Sequence, residues 1–213
     1  MIFLGERERA AKIIRKLKAK YPNTRYYLNF SSPLELLAAT ILSAQARDEL
    51  VNSVTPKLFK KYKSAPDYAN LPVSQLEKDI KRVNFFRNKA KAIQNACKML
   101  IKQYGGKVPD TMEELIQLPG IGRKSANAIL INAFNKVEGI VVDTHVIRLS
   151  LRLGFTRDYD PEKIERDLMK LIPKINWKPF PWLMKDHGRA ICVPKRPKCP
   201  ECVVNELCPK VGV

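Results

Sequence analysis

Four cysteines close to the C-terminus constrain this chain more than any other feature of its sequence. Cys192, Cys199, Cys202 and Cys208 follow the spacing C-x6-C-x2-C-x5-C within 17 residues. Proline and lysine surround them, so the segment offers no apolar core that would bury unligated thiols. Seven prolines from position 173 onward argue against a long helix there, so another interaction has to order this region. Four soft thiolate ligands predict that a metal centre supplies it.

The spacing by itself leaves the identity of the metal open. Zinc and iron–sulfur clusters both accept four thiolates, and the run matches neither the ferredoxin patterns nor the paired C-x2-C pattern of zinc ribbons. The fifth cysteine, Cys97, lies on the apolar face of a predicted helix and is expected to be a small core residue. A disulfide framework is disfavoured, because the N-terminal segment is too highly charged for a signal peptide.

The charge balance points to a polyanionic partner. The chain has 39 Lys and Arg against 21 Asp and Glu, a net charge of +18. A basic surface is the usual footprint of phosphate binding, so nucleic acid is the first expectation and an anionic membrane surface the alternative. No stretch approaches the roughly 20 apolar residues of a membrane span. We expect a monomeric cytoplasmic protein, associated with the nucleoid if it is prokaryotic.

Hydrophobic periodicity predicts a helical protein. Apolar residues recur at helical spacing over 6–20, 48–62, 73–83 and 88–104, and two further helices are predicted at about 143–153 and 161–172. Ser32 before Pro33 predicts the start of another, largely buried helix, and Gly105 a helix end. No alternating strand pattern competes with these segments. The predicted class is therefore all-α.

A Pro-Gly-x-Gly turn separates two helical segments after Leu118. Gly120 and Gly122 permit backbone angles and close approach that side chains would block. Amide groups of this turn, at the start of the next helix, can face a phosphate without reading a base. The turn is typical of a helix-hairpin-helix DNA-binding element, although an ordinary interhelical turn would give the same residues.

Two ionisable residues near this turn have both a functional and a plain interpretation. Lys124 follows Arg123 at the start of the second helix, beside the proposed phosphate site, whereas most lysines are simply solvated surface groups. Asp143 precedes Thr144 and is well placed to cap the next helix. Their chemistry follows only from a wider pattern.

That pattern resembles the endonuclease III family, from position 42 to Cys208. Its motifs occur in the family's order: LSAQ at 42–45, GIGRKSA at 120–126 with VDTH at 142–145, and the four-cysteine loop at 192–208. The resemblance implies a DNA glycosylase and abasic-site lyase that acts on oxidised or saturated pyrimidines. Lys124 would displace the base of a flipped nucleotide and form a Schiff base, assisted by Asp143, and β-elimination would cut the strand 3′ to the lesion.

The resemblance also assigns residues that enter or hold the DNA. Gln45 would fill the gap left by the flipped base. The stretch VNFFRNKA at 83–90 resembles the family's GLYNSKA loop, with Phe85 in place of the intercalating leucine. This departure leaves open how the opposite base is read. The cysteine loop would hold a structural [4Fe-4S] cluster and present Lys195, Arg196 and Lys198 to DNA phosphates, unless those cations are only solvated.

The implied fold has two helical domains flanking double-stranded DNA that contains damaged bases or abasic sites. Residues 26–137 would form a six-helix barrel with the helix-hairpin-helix, and residues 1–25 with 138–213 a discontinuous domain with the cluster. One alternative is a monofunctional thymine or adenine mismatch glycosylase, which would use water and carry another residue in place of Lys124. The other is a helix-hairpin-helix protein that binds DNA without chemistry.

Overall fold

Helices joined by loops make up residues 4–213, the part of the protein that the computed structural model describes, and no strand occurs there. The all-α prediction is confirmed. The α-helices, in chain order, are α1 (Leu4–Lys20), α2 (Pro33–Ser43), α3 (Asp48–Lys61), α4 (Ala65–Ala69), α5 (Val73–Asp79), α6 (Phe86–Tyr104), α7 (Met112–Leu115), α8 (Arg123–Ala133), α9 (Thr144–Arg152), α10 (Pro161–Leu171) and α11 (Phe180–Ala190). Short 3-10 helices lie at Lys174–Asn176, Cys199–Glu201 and Asn205–Leu207.

The chain divides into two compact units, one made of Met1–Tyr26 with Val137–Val213 and the other of Tyr27–Lys136. We call them the terminal unit and the central unit. The central unit contains α2 to α8, and the terminal unit contains α1 and α9 to α11 with the cysteine loop. That these units act as the two predicted domains stays a prediction.

In the central unit, α2 is the most deeply buried helix, with residues 36–42 all buried. It starts at the predicted position, because the Ser32 side chain accepts a hydrogen bond from the Glu35 backbone N–H at 3.2 Å and Pro33 opens the first turn. Helix α6 is the longest helix of this unit. Gly105 terminates it in a left-handed conformation, φ 59°. Cys97, in α6, is 1% exposed, which confirms that it is a core residue.

In the terminal unit, α1 contributes the apolar face that its sequence predicts. Ala10, Ile13, Ile14 and Leu17 are each at most 2% exposed. They pack into a core shared with apolar residues of α9, α10 and α11. Each fully buried Ile or Leu side chain stabilises the unit by roughly 1.5–3 kcal/mol.

Helix α11 lies in the proline-rich end of the chain, where the sequence predicts no long helix and where none of the predicted helices lies. It spans 11 residues, since Pro181 lies in the first turn, where no backbone donor is needed, and the next proline is Pro194. No predicted helix covers α4, and the helix predicted over 73–83 is too long, because α5 ends at Asp79. Among the described residues, no helix has the length and apolar character to span a membrane.

Candidate active site and cysteine pocket

The predicted hairpin is a compact turn between α7 and α8. Leu118 and Ile121 anchor it, since they are 2% and 5% exposed, and the Ile121 N–H donates to the Leu118 carbonyl at 3.0 Å. Gly120 has φ +83°, and a Cβ placed there would lie only 3.2 Å from the Ala92 Cβ. The turn therefore requires glycine at 120 for both its backbone angle and its packing.

Gly122 differs from Gly120, because nothing in the protein requires it to be glycine. Its backbone is extended, φ −101° and ψ 177°, and a Cβ there would meet no atom within 4 Å. It caps α8 without a side-chain hydrogen bond, so the first amide groups of that helix have no side-chain acceptor from the cap. The space in front of them suits an anion that approaches the backbone closely.

Arg123 and Lys124 occupy the first turn of α8, and both side chains are exposed. No acidic residue lies in that turn. The positive end of the helix dipole and two cationic side chains therefore coincide at one place. Gly120, Gly122 and Lys124 all lie at this turn, and their roles in binding and catalysis stay a prediction.

Asp143 lies in the terminal unit, directly before α9, and is half-buried. Its Oδ1 accepts hydrogen bonds from the backbone N–H groups of His145 and Val146, both at 2.9 Å. The predicted N-cap is therefore confirmed. Both capping bonds use Oδ1, so Oδ2 is not needed for the cap.

Gln45 and Phe85 lie in two exposed loops of the central unit. Gln45 follows the end of α2 with φ 51°, and Phe85 precedes α6 with φ 56°. A left-handed backbone is uncommon for residues other than glycine and is unfavourable for an aromatic residue. Phe85 is also 59% exposed, although it is a large apolar side chain. A left-handed backbone in an exposed loop is a feature often found at binding sites.

The four cysteines of the C-terminal loop line a single pocket in the terminal unit. They share it with apolar side chains of α9 and of the loop, among them Leu149 and Val204. Cys192, Cys199, Cys202 and Cys208 are free thiols. Among the described residues, no three His, Cys, Asp or Glu side chains are grouped so that they could hold one metal ion. The four thiols nevertheless border one common space.

Polar groups lie within hydrogen-bonding distance of three of these sulfur atoms. Arg152 Nη1 lies 3.4 Å from Cys192 Sγ, His187 Nε2 lies 3.4 Å from Cys202 Sγ, and the Lys210 N–H donates to Cys208 Sγ at 3.4 Å. Burial raises the pKa of the Cys202 and Cys208 thiols. Donors to sulfur favour the thiolate form, which is the form that binds metal.

Arg152 and His187 are functional candidates that the sequence analysis does not identify. Arg152 is 9% exposed and also donates to the carbonyls of Val193 and Pro194, both at 2.8 Å, so it fixes the backbone that carries Cys192. His187 is 1% exposed, and burial lowers its pKa to about 4. The neutral ring lies between two polar groups, with the Tyr21 hydroxyl 3.0 Å from Nδ1 and Cys202 Sγ 3.4 Å from Nε2. No sequence spacing marks either residue.

The three predicted phosphate contacts in the loop, Lys195, Arg196 and Lys198, are all exposed. They lie between the first two cysteines, and Arg196 has a left-handed backbone, φ 53°. Hydrogen bonds from Arg152 hold the start of this segment, and the Lys198 N–H donates to the Ile191 carbonyl at 3.0 Å near its end. The segment is therefore a closed loop that presents cations to solvent.

Comparison with known proteins identifies the family. Residues 38–174 match the model of the HhH-GPD superfamily base excision DNA repair protein. Endonuclease III of Synechocystis is 48% identical over 205 residues, 96% of this chain and 94% of that protein, and endonuclease III of Bacillus subtilis is 44% identical over 91% and 88% of the two chains. A solved structure of a trapped endonuclease III–DNA covalent intermediate, with an estranged adenine, has a TM-score of 0.91 and 42% identity, covering 99% of this chain and 97% of that one.

These matches extend over nearly the whole chain and include both units. They confirm the resemblance predicted from the motifs and the helix-hairpin-helix glycosylase fold. The chain belongs to the endonuclease III family, within the HhH-GPD superfamily of base excision DNA repair proteins.

Proposed function

We propose that this protein removes oxidised or saturated pyrimidines from double-stranded DNA and cuts the abasic strand, with Lys124 as the nucleophile. The observation that carries this proposal is the position of Lys124, exposed in the first turn of α8 directly after a hairpin suited to phosphate. The trapped covalent complex of a relative with DNA supports the same type of chemistry.

The reaction needs a neutral amine and a nucleotide held outside the duplex. Lys124 Nζ attacks the sugar C1′, and the bond from C1′ to the base breaks. Loss of a proton and opening of the sugar ring give a Schiff base between C1′ and Nζ. A base then removes a proton from C2′, the 3′ C–O bond breaks, and water hydrolyses the Schiff base to release the lysine.

Asp143 assists this sequence through its negative charge. Its Oδ1 is committed to the cap of α9, so we assign the chemical role to Oδ2. A carboxylate stabilises positive charge that develops on the sugar as the base departs, or accepts the proton that the lysine must lose.

The remaining contacts hold the DNA and support the flipped state. Gly120, Gly122 and Arg123 bind a phosphate at the start of α8, and Lys195, Arg196 and Lys198 bind further phosphates. None of these groups needs to read a base, which suits an enzyme that finds lesions in any sequence. Gln45 and Phe85 enter the duplex where the nucleotide has left the stack.

The C-terminal loop fits a [4Fe-4S] cluster. All four cysteines line one pocket, Arg152 and the Lys210 N–H donate to two of the sulfur atoms, and the His187 ring lies beside a third. Such donors are typical of the surroundings of iron–sulfur ligands. When bound, the cluster links four points of a loop that otherwise has only short 3-10 helices. The chain's own role is to hold the ligands and to present the loop cations.

We further propose that the protein acts as a monomer in the cytoplasm, at the nucleoid if it is prokaryotic. The net charge of +18 supports continuous association with DNA.

The direct test of the function is a product analysis on a duplex with one thymine glycol. The native protein should release the modified base and leave a strand cut on the 3′ side of the lesion, resolved on a denaturing gel without alkali. A gel that shows a cut only after alkali would identify a monofunctional glycosylase instead. An intact strand after both treatments would mean that thymine glycol is not the substrate or that the protein binds DNA without this chemistry.

The cluster hypothesis predicts about four iron atoms and four sulfides per chain, with a broad absorption band near 400 nm, in protein purified without oxygen. Replacing Cys202 with serine should remove the band, whereas replacing Cys97 with serine should keep it, because Cys97 lies in the core of the other unit. A colourless protein that contains one zinc ion per chain would overturn the hypothesis.

A further inference from the structure

Lys89 is a buried cation that the proposed chemistry does not use. It lies in the first turn of α6 and is 6% exposed, whereas lysines are almost never buried without partners. Its ammonium group donates to the carbonyls of Leu42 at 2.7 Å and Ala44 at 2.6 Å. Burial lowers the pKa of Lys89, so these contacts have to offset the loss of hydration.

The two acceptors lie at the C-terminal end of α2, where backbone carbonyls have no partner within the helix. A cation is favourable there, because this end of the helix dipole is negative. Ala44 is also the residue directly before Gln45. The side chain of Lys89 therefore fixes the backbone from which Gln45 projects.

The backbone of Lys89 contacts the other loop. Its N–H donates to the Phe85 carbonyl at 3.1 Å, closing the first turn of α6 behind the left-handed residue. A longer contact joins the loops directly, from Asn84 Nδ2 to the Gln45 carbonyl at 3.5 Å. Lys89 thus contacts the segments of Gln45 and Phe85 at once, and all of these residues belong to the central unit.

We propose that Lys89 is a positioning residue that holds Gln45 and Phe85 at a fixed separation, so that the two side chains enter the duplex as one preformed pair. The inference rests on the roles proposed for Gln45 and Phe85. Both residues have left-handed backbones, φ 51° and 56°, which persist only when the surrounding structure holds them. If the loops were mobile, ordering them would reduce the free energy available for opening the base stack.

The test compares Lys89→Met with Lys91→Met. The methionine keeps most of the Lys89 stem and removes the ammonium group, and Lys91 is an exposed lysine on the same helix. Single-turnover base release is measured on two duplexes that each contain one thymine glycol. In the first duplex adenine lies opposite the lesion, and in the second a baseless tetrahydrofuran nucleotide does.

A paired lesion needs the inserted side chains, whereas a lesion without an opposite base is easier to extrude and leaves no estranged base to hold. For Lys89→Met we expect release from the paired duplex to fall about 10- to 100-fold, and release from the unpaired duplex to stay within about threefold of the native rate. Lys91→Met should behave as the native protein on both. The ratio of the two rates is independent of the folded fraction, so global unfolding alone cannot change it.

Removal of Phe85 gives a second reading. Phe85→Ala should slow release from the paired duplex strongly in the otherwise native protein and only slightly in Lys89→Met. In Lys89→Met the side chains of Gln45 and Phe85 are already no longer held in place, so less is lost. If Lys89→Met does not fold, Lys89→Gln, which can still donate to one carbonyl, is judged by the same ratio.

An unchanged ratio for the Lys89 variants, whether both rates fall together or neither falls, would overturn the positioning role and leave the proposed function intact. If the native protein releases thymine glycol from neither duplex, the proposed function itself fails, which is a separate result.

Discussion

Replacing Lys124 with alanine should abolish the covalent protein–DNA adduct that borohydride traps from the native protein. Base release should also slow by about 1,000-fold or more, equivalent to a barrier higher by about 4 kcal/mol. Alanine has no amine, so neither attack on C1′ nor a reducible Schiff base is possible. The measurement is single-turnover reaction with an end-labelled thymine glycol duplex, with the adduct resolved on a denaturing gel.

Arg123 provides the matched control, because it lies in the same exposed turn of α8 and carries the same charge. Arg123→Ala should weaken DNA binding and its dependence on salt, since one phosphate contact is lost. At saturating protein the adduct should still form, because the nucleophile is intact. An adduct that persists in Lys124→Ala would place the reaction at another amine of the chain.

Much of the central unit follows from its sequence, because local rules agree with tertiary packing there. Ser32 and Pro33 start α2, Gly105 ends α6, and Gly120 permits the hairpin turn, each for a reason that is visible in the residue itself. The motif residues are also found at accessible ends of helices and in exposed loops. Their chemical roles depend on the family resemblance, since a lysine or an aspartate alone has a plain structural explanation.

The features that the sequence does not predict depend on contacts between distant segments. Arg152 faces Cys192 across 40 positions of the chain, and Lys89 reaches Leu42 across 47. Neither contact leaves a periodic signal, because both residues belong to ordinary amphipathic helices. Helix α11 is missed for a different reason, since prolines count against a helix in composition but favour it in the first turn, where Pro181 lies.

Replacing Asp143 with asparagine should separate the structural role of this residue from its chemical role. Asparagine caps helices about as well as aspartate, so the hydrogen bonds to His145 and Val146 are retained and the melting temperature should change little. The negative charge is lost, and base release should fall about 100- to 10,000-fold, the range for a group that moves a proton or stabilises charge in the transition state.

Asp143→Ala completes the comparison, because it removes both the cap and the charge. It should lower the stability of the protein by about 1 kcal/mol, seen as a melting temperature lower by roughly 2–4 °C for a chain of this length, and it should be about as inactive as the asparagine variant. If Asp143→Asn instead kept native base release, the residue would serve α9 alone. The cap uses Oδ1 only, so Oδ2 can serve the reaction. We therefore expect one carboxylate to have both roles, in which Oδ1 stabilises α9 and Oδ2 supports base release.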